Sequence, residues 1–264
     1  MNIHLSGKRV VISGSSDGIG FACAQAYAGA GADVVINGRS PASVARALDR
    51  LRSEFPHAVF AGVVADLSTA DGPACIIEAA PACDILVNNC AVNNLQDVLE
   101  EPDEMFLRLF ETNFLSGVRL TRHYLPQMLA RGWGRVLFHN SEQSLRPSPG
   151  MAAYGASKAA ELVLARSVAE YTRGTAVTVN TILIGPTRSA VTGALHARLA
   201  AESGRTIAEI EQDFIRDVRP SSLIQRLAEG SEVASMAVYL SSDHASATNG
   251  AVLSVEGGVR EVLF

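Results

Sequence analysis

The stretch Arg9-Val10-Val11-Ile12-Ser13-Gly14-Ser15-Ser16-Asp17-Gly18-Ile19-Gly20 decides the fold. Its first residues are apolar on both alternating positions and read as a buried strand, while the glycines that follow let the backbone turn sharply. A helical stretch, residues 19–30, opens at the last glycine. A helix that starts just past a strand's carboxyl end aims unpaired N–H groups at the turn, where they attract pyrophosphate. A dinucleotide is the natural occupant, although glycines after a strand also serve a tight structural turn.

Outward from this turn, short β-branched runs alternate with helix-length segments along the whole chain. The candidate strands are residues 9–13, 33–37, 58–65, 85–88, 135–140, 176–183 and 252–255, and the candidate helices are 19–30, 41–54, 71–80, 103–131, 153–173 and 231–241. Strands apolar on both faces are covered by helices on both sides, so the alternation predicts an α/β doubly wound fold with a mostly parallel seven-stranded sheet. Crossovers would be right-handed. No repeat, low-complexity tract or linker divides the chain, which predicts one domain over 1–264. Residues 188–222 break the alternation with a helical pattern and no strand. They fall between the sixth and seventh strands, where a lid over a ligand would sit.

A chain of 264 residues with 48% hydrophobic side chains can bury a large core. Lys plus Arg number 22 against 27 Asp plus Glu, a net charge of -5, which leaves no basic surplus for a phosphate backbone and argues against nucleic acid as partner. No stretch approaches the roughly 18 to 20 consecutive apolar residues that span a bilayer, and no signal-peptide core precedes Gly14. The expectation is a soluble, cytoplasmic protein without a membrane partner. Cys23, Cys75, Cys83 and Cys90 form no Cys-x-x-Cys pair, so no metal is expected and all four should be reduced and packed as small hydrophobes.

Four residues are candidates for a reaction site. Tyr154 and Lys158 stand four apart in a run of strong helix formers, so they leave one helical face a turn apart. A free phenol, with pKa about 10, shuttles protons poorly at neutral pH, and a neighbouring ammonium favours its ionised form. Such a pair alone also occurs as an ordinary surface pair. Ser141 ends the fifth strand thirteen residues earlier, which places a hydroxyl at the sheet's carboxyl edge and permits two donors on one carbonyl oxygen. Asn113 lies within the helix 103–131, where asparagine has only modest propensity. Helix packing is its plain alternative.

These residues, with Gly14, Gly18 and Gly20, Asp66-Leu67, Asn88-Asn89-Cys90-Ala91 and Gly185-Pro186 in order, resemble a short-chain dehydrogenase/reductase of the shorter, single-domain branch. The likeness runs essentially end to end, is 3-oxoacyl-ACP-reductase-like in character, and has Ser13 where the family usually carries Thr. It implies a Rossmann-type domain in which Gly14, Ser16, Asp17, Gly18, Ile19 and Gly20 surround the cofactor pyrophosphate. Asp66 and Leu67 would meet the adenine, Asn89, Cys90 and Ala91 the adenosine ribose, and Tyr154 and Lys158 the nicotinamide ribose. Gly185, Pro186, Thr187 and Ser189 would hold carboxamide and pyrophosphate, although Ile184 replaces the family's usual Pro.

At the end of the second strand, NAD-preferring members carry an Asp that binds the ribose hydroxyls and repels a 2′-phosphate. Gly38 stands there instead, and Arg39, followed by Ser40, can offer a planar charged fork. NADP(H) is the expected cofactor; Arg39 as a solvated surface residue is the alternative, and Asp17 weighs mildly the other way.

The resemblance implies hydride transfer between nicotinamide and a ketone or secondary alcohol. Tyr154 would be the general acid/base, Ser141 would steady the oxygen, Lys158 would tune the phenol, and Asn113 would hold a water that resupplies protons. It also implies a homotetramer, or a dimer, built by pairing the helices 103–131 and 153–173. A non-catalytic NADP(H)-binding redox sensor or interaction protein would need none of Ser141, Tyr154 and Lys158. The longer family branch has another glycine spacing. Glu142, Gln143 and His196 could face a pocket, or be solvated and loop-packing residues.

Overall fold

The computed structural model describes residues 2–261. Its strands are β1 (Arg9–Ile12), β2 (Asp33–Gly38), β3 (Phe60–Val64), β4 (Ile85–Asn88), β5 (Trp133–Ser141), β6 (Ala176–Ile184) and β7 (Val252–Val255). They form one seven-stranded sheet in the order β3-β2-β1-β4-β5-β6-β7, parallel at every pairing. The helices are α1 (Gly18–Gly29), α2 (Pro41–Glu54), α3 (Asp71–Ala79), α4 (Asp103–Leu109), α5 (Ser116–Arg131), α6 (Ala152–Ala169), α7 (Ala190–Ser203), α8 (Ile207–Val218) and α9 (Gly230–Ser241). This is the doubly wound, Rossmann-like architecture expected from the alternation.

Strand periodicity explains the two-layer burial. Val10, Ile12, Val34 and Ile36 pack with Phe21, Cys23 and Val233 on one face of the sheet, while Val11, Val35, Leu86 and Phe138 pack with Ile76, Leu120 and Tyr124 on the other. β1 has β2 on one side and β4 on the other, so chain order reverses there and a crevice opens past their carboxyl ends. Ser13-Gly14 and Asn89-Cys90 follow those two ends. They meet closely, since a Cβ placed on Gly14 would come within 2.9 Å of Cys90 Cα.

Element boundaries differ from expectation where side chains intervene. α1 opens at Gly18, before the last glycine of the turn, because Asp17 caps it by accepting the Gly18 N–H at 2.7 Å. The edge strand β3 spans 60–64 rather than 58–65, matching the stretch of β2 with which it pairs, Val34 to Gly38. β5 and β6 pair over nine positions and carry Ser141 into the ladder opposite Ile184.

The single helix expected over 103–131 is two helices joined by a π-helical turn, Phe110–Leu115. Asn113 sits in that turn. The helix expected to reach residue 173 ends at Ala169 and passes into a 3-10 turn before Gly174, whose φ of +75° is left-handed. Residues 188–222 contain α7 and α8, each started by a reciprocal cap, Ser189 with Thr192 and Thr206 with Glu209. Among the described residues no helix is long and apolar enough to cross a membrane. Cys23 and Cys83 are buried and Cys90 half-buried, as expected of small hydrophobes, but Cys75 is exposed on α3.

Candidate active site

The glycine turn is braced from three strands. Ser13 Oγ accepts the N–H groups of Asn89 and Cys90 at 2.9 and 3.0 Å. The Asn89 amide donates to the carbonyls of Ser13 and Gly14 at 3.0 and 2.8 Å. Gly14 N–H donates to Asn37 Oδ1 at 3.0 Å, and the other end of that side chain holds the Val63 and Ala65 carbonyls. A Cβ on Gly20 would run into Asn89 Nδ2 and Gly14 O, both at 2.5 Å, so the close helix–turn contact requires glycine. Asn89 is thereby a brace of the turn through its side chain, and the Leu67 side chain is buried in the core.

At the cofactor end, Gly38 is confined as well as uncharged. A Cβ there would lie 2.6 Å from Ser16 Oγ and 2.8 Å from Ser16 Cβ, so a diol-binding aspartate would need Ser16 to move. Arg39 is exposed beside it, and its charge is felt at Asp66 and Cys90. Ser40 caps α2 by accepting Ser43 N–H at 3.2 Å. Asp66, exposed, accepts Ser68 N–H at 3.0 Å, and that bond holds its carboxyl below the usual range. Across the turn, Ser189 Cβ lies 3.7 Å from where a Cβ of Gly18 would stand, so the start of α7 overhangs the glycines. Thr187 is buried, its hydroxyl donating to Gly185 O at 2.9 Å. Ile19 and Pro186 are half-buried and Ala91 exposed around the same crevice. The donor set, a helix start with neighbouring hydroxyls and the exposed Arg39 guanidinium, fits a dinucleotide.

Ser141, Tyr154 and Lys158 gather at the carboxyl end of β5. Ser141 closes that strand and its hydroxyl donates to Glu142 Oε2 at 3.0 Å. Tyr154 stands in the first turn of α6, whose start packs on the turn after Ser141; a Cβ on Gly155 would approach Gln143 O at 3.0 Å. Lys158, one turn on, is buried and donates to His139 O and Glu161 Oε2, both at 2.8 Å. Burial pushes the Tyr154 phenol above its ordinary value; the Lys158 ammonium and the Ser141 hydroxyl pull it down, and Glu142 and Glu161 push it up. Burial disfavours the Lys158 ammonium, yet the Glu161 carboxylate and Tyr154 outweigh it and hold the lysine above its ordinary range. Burial holds the Cys90 thiol up at about 11, so it is no thiolate nucleophile.

Asn113 is buried and uses its side chain on the neighbouring loop. It accepts Val92 N–H at 2.8 Å and donates to Val92 O at 2.9 Å and Ser157 Oγ at 3.0 Å. These bonds tie the π turn both to the segment after Cys90 and to the helix of Tyr154 and Lys158. π turns of this kind recur at functional sites. Its side chain is therefore a clamp, leaving only main-chain atoms of the turn for a water.

Ser141, Tyr154 and Lys158 thus come together, with Asn113 behind them and the glycine turn alongside. Four further residues of the site were not picked out from the sequence: Glu161 against Lys158, Asn140 bonded to Glu161 at 2.9 Å, His139 bonded to Asn89 at 2.9 Å, and Arg219 against Glu142 at 3.1 Å. The polar pair His139-Asn140, directly after the apolar run Val136-Leu137-Phe138, is a readable signal. His196, on α7 itself, packs against α8, 3.8 Å from Glu211 and beside the Phe214 ring, which makes it a helix-packing residue rather than a solvated or loop-packing one.

The family model described as Enoyl-(Acyl carrier protein) reductase matches residues 14–260. The uncharacterized oxidoreductase YvaG of Bacillus subtilis (strain 168) is 40% identical over 264 residues, all of both chains. The D-beta-hydroxybutyrate dehydrogenase of Rhizobium meliloti (strain 1021) is 31% identical over 256 residues, 95% of this chain and 98% of its own. L-sorbose reductase from Gluconobacter frateurii, solved with NADPH and L-sorbose, superposes with a TM-score of 0.93 at 28% identity, over 100% of both chains. The sheet order, the braced glycine turn and the Ser-Tyr-Lys group therefore belong to an oxidoreductase of the short-chain dehydrogenase/reductase family.

Proposed function

We propose that this protein is an NADP(H)-dependent oxidoreductase that interconverts a ketone and a secondary alcohol, with Tyr154 as the general acid/base. The observation that carries the reading is the gathering of Ser141, Tyr154 and Lys158 at the end of β5, beside the turn braced by Ser13, Asn37 and Asn89. Bound NADPH would supply the hydride, or NADP the acceptor for it. The chain's own groups handle the oxygen. Tyr154 Oη gives it a proton in reduction and takes one in oxidation, Ser141 Oγ supplies a second hydrogen bond to it, and Lys158 governs the acidity of the phenol.

Arg39, Ser40 and Ser16 would hold the 2′-phosphate, the start of α1 the pyrophosphate, and Ser189 and Thr187 the far side of the nicotinamide half. The roles of Asp66, Asn89, Cys90 and Ala91 along the adenosine belong to the same reading, as does one domain over 1–264 with residues 188–222 as a lid. The NADPH and L-sorbose bound by the similar reductase support the cofactor choice and make polyhydroxy ketones the first substrates to try.

The test is a panel of ketones and secondary alcohols followed by NADPH absorbance, L-sorbose included. Tyr154→Phe should abolish turnover while NADPH still quenches or enhances fluorescence on binding. Retained turnover in that variant would exclude the assigned acid.

A further inference from the structure

Lys158 meets a second buried charge. Its ammonium lies 2.8 Å from Glu161 Oε2, and the two side chains are 1% and 2% exposed. The same Oε2 accepts Asn140 Nδ2 at 2.9 Å, and Asn140 also donates to Lys158 O at 2.8 Å. The Glu161 carboxyl is thus fixed at the lysine by α6 on one side and by the strand residue preceding Ser141 on the other; burial raises it above its ordinary range, while the Lys158 ammonium and the bonds from Lys158 and Asn140 favour its ionised form. An exposed i,i+3 pair would contribute little, but a pair out of water interacts strongly and in a defined geometry.

An ammonium closed on a carboxylate presents little net field to a third group. The groups facing the Tyr154 phenol are Lys158 and Glu161 on its own helix and Ser141 and Glu142 at the end of β5. Arg219 lies on the other oxygen of Glu142, away from the one that accepts Ser141. Lys158 in turn faces Glu161, Tyr154, Cys90 and the His139 carbonyl. Of all these, only the lysine charge and the serine hydroxyl favour the phenolate.

Building on the function proposed above, we propose that Glu161 is a positioning residue that holds Lys158 in place while cancelling much of its field at Tyr154. The phenol then stays protonated at neutral pH, and the site is set to donate a proton to a ketone oxygen, with alcohol oxidation confined to more alkaline conditions. Burial of the phenol works in the same direction.

Glu161→Gln isolates the charge, because both hydrogen bonds fall on one oxygen that the glutamine carbonyl can replace. Tyrosinate ultraviolet absorbance is titrated in each protein and in its Tyr154→Phe counterpart, and the difference reports one phenol among the five tyrosines without substrate or cofactor. Tyr154 should titrate lower by about one pH unit in Glu161→Gln. Glu161→Asp, which keeps the charge but draws it back from Nζ, should move it the same way by less and covers the case of an unfolded glutamine variant.

The pH limb for NADP-dependent oxidation of a secondary alcohol active in the panel should move with it. An unmoved titration in both variants overturns the role, and so does an upward move, which would mean that Lys158 had lost its proton. Normal wild-type turnover with an unmoved titration sinks only Glu161; a shifted titration in a protein that never turns over NADPH sinks the function instead.

Discussion

Arg219 at the end of α8 grips Glu142 beside Ser141: its Nη2 and Nε lie 3.1 and 3.3 Å from one carboxylate oxygen, while the other accepts the serine hydroxyl. Both side chains are buried, at 8% and 6% exposure. The 188–222 segment is therefore anchored on the residue that follows Ser141. Removing one partner of such a pair leaves an uncompensated charge out of water. Arg219→Ala should lower stability by about 3–5 kcal/mol in denaturant unfolding, and it should slow turnover because Ser141 then faces an unpaired carboxylate. Adding Glu142→Gln should restore most of the stability; no restoration would mean that Arg219 acts by packing alone.

His139 gives a stability prediction with a defined sign. Burial, with the Lys158 charge next, pushes its pKa from 6.5 down to about 3. Between those values the unfolded chain binds a proton that the folded chain refuses, so folding stability rises with pH in this window and falls on acidification. From pH 7 to pH 5 the loss from this one residue is about 2 kcal/mol. In His139→Asn, whose amide can replace the ring N–H that reaches Asn89 at 2.9 Å, that part of the pH dependence should vanish. Equal slopes for the two proteins in urea titrations at pH 5 and 7 would show that the imidazole is protonated in the fold.

Cofactor choice rests on Arg39 and on the space around Gly38. Arg39→Ala should weaken NADPH binding by about tenfold or more, the worth of a charge-assisted bond to phosphate, and leave NADH binding unchanged. Gly38→Asp alone should not create a good NAD site, since its Cβ would crowd Ser16 at 2.8 Å. Pairing it with Ser16→Gly should. Fluorescence titration with both cofactors reads the outcome, and an Arg39→Ala protein that still prefers NADPH would shift the phosphate contact to other residues.

What could be read from the chain was what is local. β1 and the glycines announced the sheet and the crevice, and Tyr154 and Lys158 announced themselves by lying one helical turn apart. Glu161 was as readable, three residues past Lys158 on the same face, but a charged residue on a helix is ordinarily solvated and nothing local says that this face is buried. The Arg219–Glu142 pair joins positions 77 apart, and Asn113, in the π turn, bonds to Val92, 21 residues away. Only tertiary contact produces either, so the helix 103–131 looked continuous and the link from the 188–222 segment to Ser141 left no pattern. Gly38 showed the missing carboxylate in the sequence; that Ser16 also fills its space did not show.

The helices α4 and α6 pack against each other and leave large apolar side chains outward, Leu107 at 70% and Val163 at 71% exposure. Isolated exposed apolar residues are common, but two on adjoining helices give the expected pairing of the segments 103–131 and 153–173 a face on which it can be tested. The homotetramer expected from the helix pairing would bury both. Leu107→Glu with Val163→Glu places like charges against each other across such a two-fold contact, so light scattering should report a smaller species than the parent protein. Activity should fall as well, because α6 carries Tyr154 and Lys158 and the contact would hold that helix in place. An unchanged mass in the double variant would move the interface away from α4 and α6.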